Sequence, residues 1–278
     1  MSSGLDADPN TPVGVDPTRA SVARMYDYVL GGKDHYQVDR DELDRLRGVM
    51  PEVADLAIEN RRFLIRLCRF LAERAGITQY LDCGSGLPTA ENVHQVVQRT
   101  DPLSKVVYVD NDPVVVAHGR ALLEENEHTR FVAGDIFAPE SILGDDLVRK
   151  HLDWSRPIAV LFVATLHHYK GARDRAAEIT REYVDALPPG SYVAISHLLD
   201  PRDEGDHEAM AAFETAVKRG SLGGVTARTE QEIAELVRGL DLVEPGIVRL
   251  LDWWPDGPSL RPPNVAQRLM AGVVARKP

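Results

Sequence analysis

Apolar positions recur at helical spacing along the first quarter of the chain, then in short runs separated by helical stretches, and the change falls at Gly76. Val22, Met25, Tyr26, Val29 and Leu30 share one face of a helix predicted over 19–30, with Thr18 as its cap and Gly31-Gly32 as its stop. Two more helices are predicted over 39–48 and 51–75, the second amphipathic through Val53, Leu56, Ala57, Phe63, Leu64, Leu67 and Leu71. Beyond Gly76, strand-like runs over 79–83, 106–110, 130–133, 158–163 and 192–196 alternate with helical patterns over 89–99, 113–125, 145–151 and 172–186. Such alternation implies right-handed crossovers and a parallel, doubly wound α/β sheet. After Asp200 come a charged helix over 206–219, a glycine-rich break at 220–224 and a helix capped by Thr229 with Glu232 three residues on. Two strands over 242–250 and 268–275 close the chain as a hairpin-like antiparallel pair.

The pattern divides the chain into a tail over 1–17, a helical N-terminal cap over 18–76 and an α/β domain over 77–278. Pro9, Pro12 and Pro17 stand among small and polar residues that cannot offset the entropy of ordering, so the tail is expected to be loose. With 278 residues, 44% hydrophobic and 27% charged, the chain is a globular protein able to bury a core, not a disordered or fibrous one. Lys and Arg number 32 against 43 Asp and Glu, and a net charge of −11 disfavours nucleic acid as a partner. The basic run Arg61-Arg62 with Arg66, Arg69 and Arg74 reads as a solvated helix face. Cys68 and Cys83 have no metal-ligand spacing, so neither a metal site nor a disulfide is expected. No stretch approaches the roughly 18 apolar residues of a membrane span, which points to no membrane partner and a cytoplasmic location.

Chemistry concentrates in Tyr80-Leu81-Asp82-Cys83-Gly84-Ser85-Gly86-Leu87-Pro88-Thr89, a strand running into a glycine loop and then a helix. Glycines there allow backbone N–H groups to approach a ligand, and a helix N-terminus offsets negative charge. Asp110 ends the next apolar strand, 26 residues beyond Gly84, where a carboxylate can accept from ribose hydroxyls. Thr89 stands where a dinucleotide loop carries its third glycine, which disfavours a pyrophosphate ligand, and no P-loop pattern occurs. Asp82 would repel phosphate but attract an ammonium, so the loop suits a nucleoside with a cationic tail.

This combination resembles the class I S-adenosylmethionine-dependent methyltransferases, in order from about residue 79 to the C-terminus. The resemblance implies a Rossmann-like, seven-stranded, mostly parallel sheet with helices on both faces, an antiparallel last strand over 268–275 and S-adenosyl-L-methionine as cofactor. Asp82-Cys83-Gly84-Ser85-Gly86 looks like the family's first motif, Asp110 like its ribose acid and Asn111 like the residue beside the adenine. Gly134-Asp135-Ile136 is similar to the third motif, in which Asp135 would accept from the adenine amino group and Ile136 would pack on the ring. The fourth strand runs into Ala164-Thr165-Leu166-His167-His168, as in members with small-molecule substrates. Leu87-Pro88 replaces a glycine that many members carry. Ala23 to Tyr36, with its Tyr-Asp-Tyr-Val-Leu-Gly-Gly-Lys-Asp-His-Tyr run, and Asp39-Arg40 resemble an actinobacterial methyltransferase-like family long catalogued as a domain of unknown function.

The expected reaction is methyl transfer to a small-molecule nucleophile, and the cap can act as a lid that excludes water. Tyr26, Tyr28, Lys33, Asp34, His35 and Tyr36 would close over the cofactor with Gly31-Gly32 as the joint, although Tyr26 and Tyr36 also read as packed aromatics. His167 and His168, at the carboxyl edge of the sheet, are the candidate catalytic bases, with His197, at the end of the fifth strand, a secondary candidate. Trp253-Trp254 reads either as an aromatic pocket wall or as core. A cofactor-binding sensor without catalysis would keep Gly84, Gly86, Asp110 and Asp135. An NAD-dependent oxidoreductase would need the absent third glycine.

Overall fold

The computed structural model describes residues 15–88, 91–122 and 126–278, with the backbone alone for residues 120–122. Helices α1 (Val22–Val29), α2 (Gln37–Arg47) and α3 (Ala54–Arg69) precede the first strand. There follow β1 (Gln79–Cys83), α4 (Val93–Val97), β2 (Lys105–Asp110), α5 (Pro113–Leu122), β3 (Thr129–Ala133), α6 (Pro139–Leu143), α7 (Asp146–His151), β4 (Ala159–Val163), α8 (Arg175–Ala186) and β5 (Tyr192–Leu198). The chain ends with α9 (Glu204–Arg219), α10 (Glu230–Leu236), the two-residue strands β6 (Asp241–Leu242) and β7 (Val248–Arg249), α11 (Val265–Arg268) and β8 (Met270–Arg276).

The sheet runs β3-β2-β1-β4-β5-β8-β6, with β7 also paired to β8. The pairs from β3 to β5 are parallel, whereas β8 lies antiparallel to β5 over seven residues, from Tyr192 opposite Arg276 to Leu198 opposite Met270. The expected long strand over 242–250 is instead two short pieces. Pro245 offers no N–H to a ladder and Gly246 has φ +84°, so the strand breaks there and resumes at Val248, still beside β8. Strand order reverses between β1 and β4, and this switch point opens a crevice at the carboxyl ends of the strands.

Strand periodicity sorts the core onto two faces. Tyr80, Tyr108, Leu161 and Ala194 face α3 and α4, while Leu81, Cys83, Val107, Val160 and Phe162 face the other layer. Asp82 therefore shares the face of Tyr80, under the N-terminal helices. Phe63 of α3 lies on β8 at Gly272, where a Cβ would meet its ring at 2.7 Å. Trp253 is fully buried edge-on to Phe63 and Phe70, and Trp254 donates from its indole to the Glu244 carbonyl at 2.7 Å. Trp253 is core and Trp254 is surface, and neither lines the two cavities of the crevice at the carboxyl ends of the strands.

Helix ends follow their caps more than their apolar runs. The first helix starts at Val22 with Ser21 at its N-cap position, and Thr18 spends its hydroxyl on Asp16 at 2.6 Å. Asn92 and Gln95 form a capping box that starts α4 later than expected, and Thr89 lies outside the described residues. Thr229 and Glu232 form the expected box on α10. Among the described residues no helix is long and apolar enough to cross a membrane.

Candidate active site

The switch-point crevice holds a cavity of about 480 Å³. Its wall takes Asp82, Gly84, Ser85 and Gly86 from the loop after β1, Asp110 and Asn111 from the end of β2, Asp135 and Ile136 after β3, and Ala164, Thr165 and His168 after β4. Thus Asp82, Gly84, Ser85, Gly86, Asp110, Asn111, Asp135, Ile136 and Ala164, singled out at the ends of four different strands, meet in one place. Tyr26 joins them from α1. Lys33 is exposed and lines neither this cavity nor its neighbour.

The glycine loop is built differently from a phosphate cradle. Gly84 and Ser85 donate their N–H groups to the Val109 carbonyl at 2.7 and 3.1 Å, and Gly86 donates to the Asp110 carboxylate at 2.9 Å. These donors bind the loop to β2 and are not presented to a ligand. Gly84 is required by its φ of +86° and by Thr165, whose Cγ2 would lie 2.4 Å from a Cβ. Asp110 also accepts from the Asp112 N–H at 2.9 Å, while burial pushes its carboxyl pKa up. Burial raises Asp82 further, to about 7, with Arg61 opposing the shift and Asp110 adding to it.

Arg61 was expected on a solvated face but stands on the cavity wall, 5.7 Å from the centroid of the Tyr26 ring. Arg66 is also buried, donating to the Leu250 and Trp253 carbonyls at 2.6 and 3.0 Å. Helical periodicity places Arg62 and Arg69 outward, so the run divides between wall, core and solvent. The missed signal was phase: Arg61 follows Ala57 at i+4, on the amphipathic face already assigned inward.

The cap also reaches the cavity through residues 19–22, which lie ahead of the motif that begins at Ala23. The run behind the double glycine has another task. Asp27 is buried, accepts from the Asp34 N–H at 2.9 Å and meets His35 Nδ1 at 3.3 Å. A Cβ on Gly32 would lie 1.8 Å from the Asp27 carboxylate, so this glycine is a packing position, not a joint. Asp39, fully buried, accepts from the N–H groups of Ser21 and Tyr36 at 2.9 and 2.8 Å and pairs with Arg24 at 2.8 Å. Asp34, His35 and Tyr36 therefore knit the cap together.

Ala164 adopts φ +59°, a strained conformation for a residue with a side chain, at the lip of β4. Its N–H donates to the Ser196 hydroxyl at 2.8 Å, and Ser196 donates in turn to Asn60. The Asn60 amide donates to the Tyr26 hydroxyl at 2.9 Å, and Tyr26 donates to the Ala57 carbonyl at 3.0 Å. This chain of bonds runs from the sheet through α3 to α1.

A second cavity of about 140 Å³ adjoins the first. Val22, Tyr26, Asn60, Ala164, His168 and Leu222 line both. His167 lines only the second, and its Nδ1 is sealed with no hydrogen-bond partner among the described residues. Burial lowers His168 to about 4, with Lys170 adding to the shift, and lowers His167 well below the usual imidazole range. His197 lies behind them, its ring 5.3 Å from that of His167, and is lowered to about 3 by burial. All three imidazoles are neutral near pH 7.

The sequence profile of the S-adenosyl methyltransferase family matches residues 9–278. A crystal structure of a candidate methyltransferase from Thermobifida fusca is 39% identical, with a TM-score of 0.89 over 97% of this chain and 99% of that one. A DUF574 family protein from Streptomyces avermitilis is 36% identical, with a TM-score of 0.88 over 95% and 99%. PigF, solved with SAH, is 18% identical with a TM-score of 0.51 over 86% of this chain and 69% of that one, a likeness of fold alone. No curated protein matches the chain.

Proposed function

We propose that this chain, which belongs to the S-adenosyl methyltransferase family, transfers a methyl group from S-adenosylmethionine to a small-molecule nucleophile held beside His168. The observation that carries the small-molecule reading is the second cavity, which meets the first at Ala164 and His168 and has room for a compact ligand, not a polymer.

The donor set of the larger cavity fits S-adenosylmethionine, and about 480 Å³ lies within the usual range for ligand pockets. Asp110 would accept from the ribose hydroxyls, Asp135 from the adenine amino group, and Ile136 and Asn111 would border the ring. Asp82 would face the ammonium and Arg61 the carboxylate of the amino-acid end, with Gly84, Ser85 and Gly86 beneath it and Tyr26 above.

When bound, the cofactor would supply an electrophilic methyl carbon to the acceptor's lone pair. Ala164 and Asn60 set the mouth through which the acceptor approaches, which is a matter of alignment. His168, neutral and at that mouth, takes the proton that the acceptor heteroatom sheds. The cap excludes water by covering both cavities with residues 19–26.

Calorimetric titration with S-adenosylmethionine, S-adenosylhomocysteine and NAD tests the site, with Asp110→Ala as control. The expected result is binding of both adenosyl ligands, abolished in the variant, and none of NAD. Binding that survives Asp110→Ala would move the cofactor away from this crevice.

A further inference from the structure

The two adjoining cavities differ in chemistry. Four carboxylates and three cations line the larger, whereas among the described residues no Asp, Glu, Lys or Arg lines the smaller. Its polar side chains are Tyr26, Asn60, His167 and His168. The first two are already bonded to each other and to Ala57 and Ser196. A ligand in this pocket therefore meets aliphatic and aromatic surface and two imidazoles. An ionic group placed there would lose its hydration without a counter-charge, at a cost of several kcal/mol.

Size narrows the occupant. A dry, apolar cavity of about 150 Å³ accommodates one benzene ring, and this pocket measures about 140 Å³. Two fused rings seated wholly within it would need the walls to move, and much of that wall comes from packed helices. Met25, Val29, Leu43 and Leu46 come from α1 and α2, while Phe213 and Val217 come from α9.

We infer that the methyl acceptor inserts a single uncharged ring into this pocket and presents a hydroxyl or amine at its Ala164 and His168 mouth. The inference rests on the methyl-transfer reading above. The bond formed joins the acceptor heteroatom to the methyl carbon, the bond broken is carbon to sulfur with its pair left on sulfur, and the heteroatom's proton leaves through His168 to solvent. Selectivity among acceptors then resides in the cap, because α1 and α2 supply the wall opposite the sheet.

Fluorine NMR on the full chain saturated with S-adenosylhomocysteine tests the inference, with 4-fluorophenol, 4-fluorobenzoate and 6-fluoro-2-naphthol as probes near neutral pH. 4-Fluorophenol should bind, with the benzoate and the naphthol at least about tenfold weaker, a difference of about 1.4 kcal/mol. Val29→Phe and Val225→Phe each fill the pocket from a half-buried position and should weaken 4-fluorophenol by about the same factor, with S-adenosylhomocysteine affinity and thermal stability unchanged. Absence of 4-fluorophenol binding to the loaded protein overturns the inference, as does equal binding of either comparison probe or indifference to both substitutions. Failure of S-adenosylhomocysteine itself to bind overturns the underlying reading of the larger cavity.

Discussion

The hydroxyl of Ser21 donates to the carboxylate of Asp112 at 2.6 Å, joining the start of the first cap helix to the loop beyond β2. The N–H of Asp112 donates to Asp110 at 2.9 Å, and its second carboxylate oxygen accepts from the Val114 N–H at 2.8 Å. The cap thus rests on the same turn that orders Asp110. On the proposed placement of the cofactor, covering it and shaping its contact with Asp110 would be one event.

Ser21→Ala should weaken S-adenosylmethionine binding without unfolding the protein. A single hydrogen bond contributes about 0.5–1.5 kcal/mol, so the loss is about two- to tenfold in Kd. Titration calorimetry reads it directly. An unchanged Kd would show that the cap and the Asp110 turn move independently.

Asp82 gives the free protein a pH signature. Its folded-state pKa is raised from 3.8 to about 7, so its contribution to stability is fully present below about pH 4 and is lost as pH rises through about 7. Asp82→Asn should remove this loss, leaving the variant more stable than wild type at pH 8 while its affinity for S-adenosylmethionine falls. The cationic ligand favours the ionised carboxylate, so binding near pH 6 should release a proton. Denaturation by urea across pH 5 to 8, with calorimetry in buffers of different ionisation enthalpy, measures both. Equal pH slopes for the two proteins would contradict the assignment.

Asp39 holds the cap by three donors, with Arg24 at 2.8 Å among them and both side chains almost wholly buried. Asp39→Ala leaves a buried guanidinium and two N–H groups uncompensated, a loss of about 3–5 kcal/mol. The expected outcome is a large drop in urea midpoint and early proteolysis within residues 18–50. A loss below about 1 kcal/mol would mean that water replaces the carboxylate freely.

What was legible in the sequence was what local pattern fixes. Strands β1 to β5 read true because their apolar runs end in residues that the crevice needs, such as Asp82, Asp110 and Ala164. Membership of the site was legible for the same reason, since loops at the carboxyl ends of parallel strands converge. The role of the residues behind Gly31-Gly32 was not, because a cluster of polar groups looks alike whether it faces a ligand or, as with Asp27 and His35, satisfies its own turn. Arg61 was hidden by its charge, although Ala57 one turn earlier marked its face as inward. The second cavity had no local signal at all, as Val29, Leu46 and Phe213 meet only through the packing of three helices.

The imidazoles supply the last prediction. Burial holds His168 near 4 and His197 near 3, so both are neutral when folded and take up protons on unfolding below the ordinary 6.5. Their folded-state values are depressed, so the stability they confer is present above about pH 6.5 and is lost as pH falls toward 4. His207, exposed and bonded to Asp200, is shifted upward and serves as an internal contrast. Proton NMR should show the His207 ring titrating above the usual range, with the His168 ring silent until about pH 4. A base this weak cannot hold the acceptor's proton before reaction. It can take that proton once bond formation to the methyl carbon makes the heteroatom strongly acidic, so proton loss accompanies methyl transfer and does not precede it. His168→Gln should lower turnover by more than it lowers cofactor affinity, with less acid destabilisation than wild type. Titration of the His168 ring near 6.5 would instead make it an ordinary solvated imidazole and remove it from the mouth of the acceptor pocket.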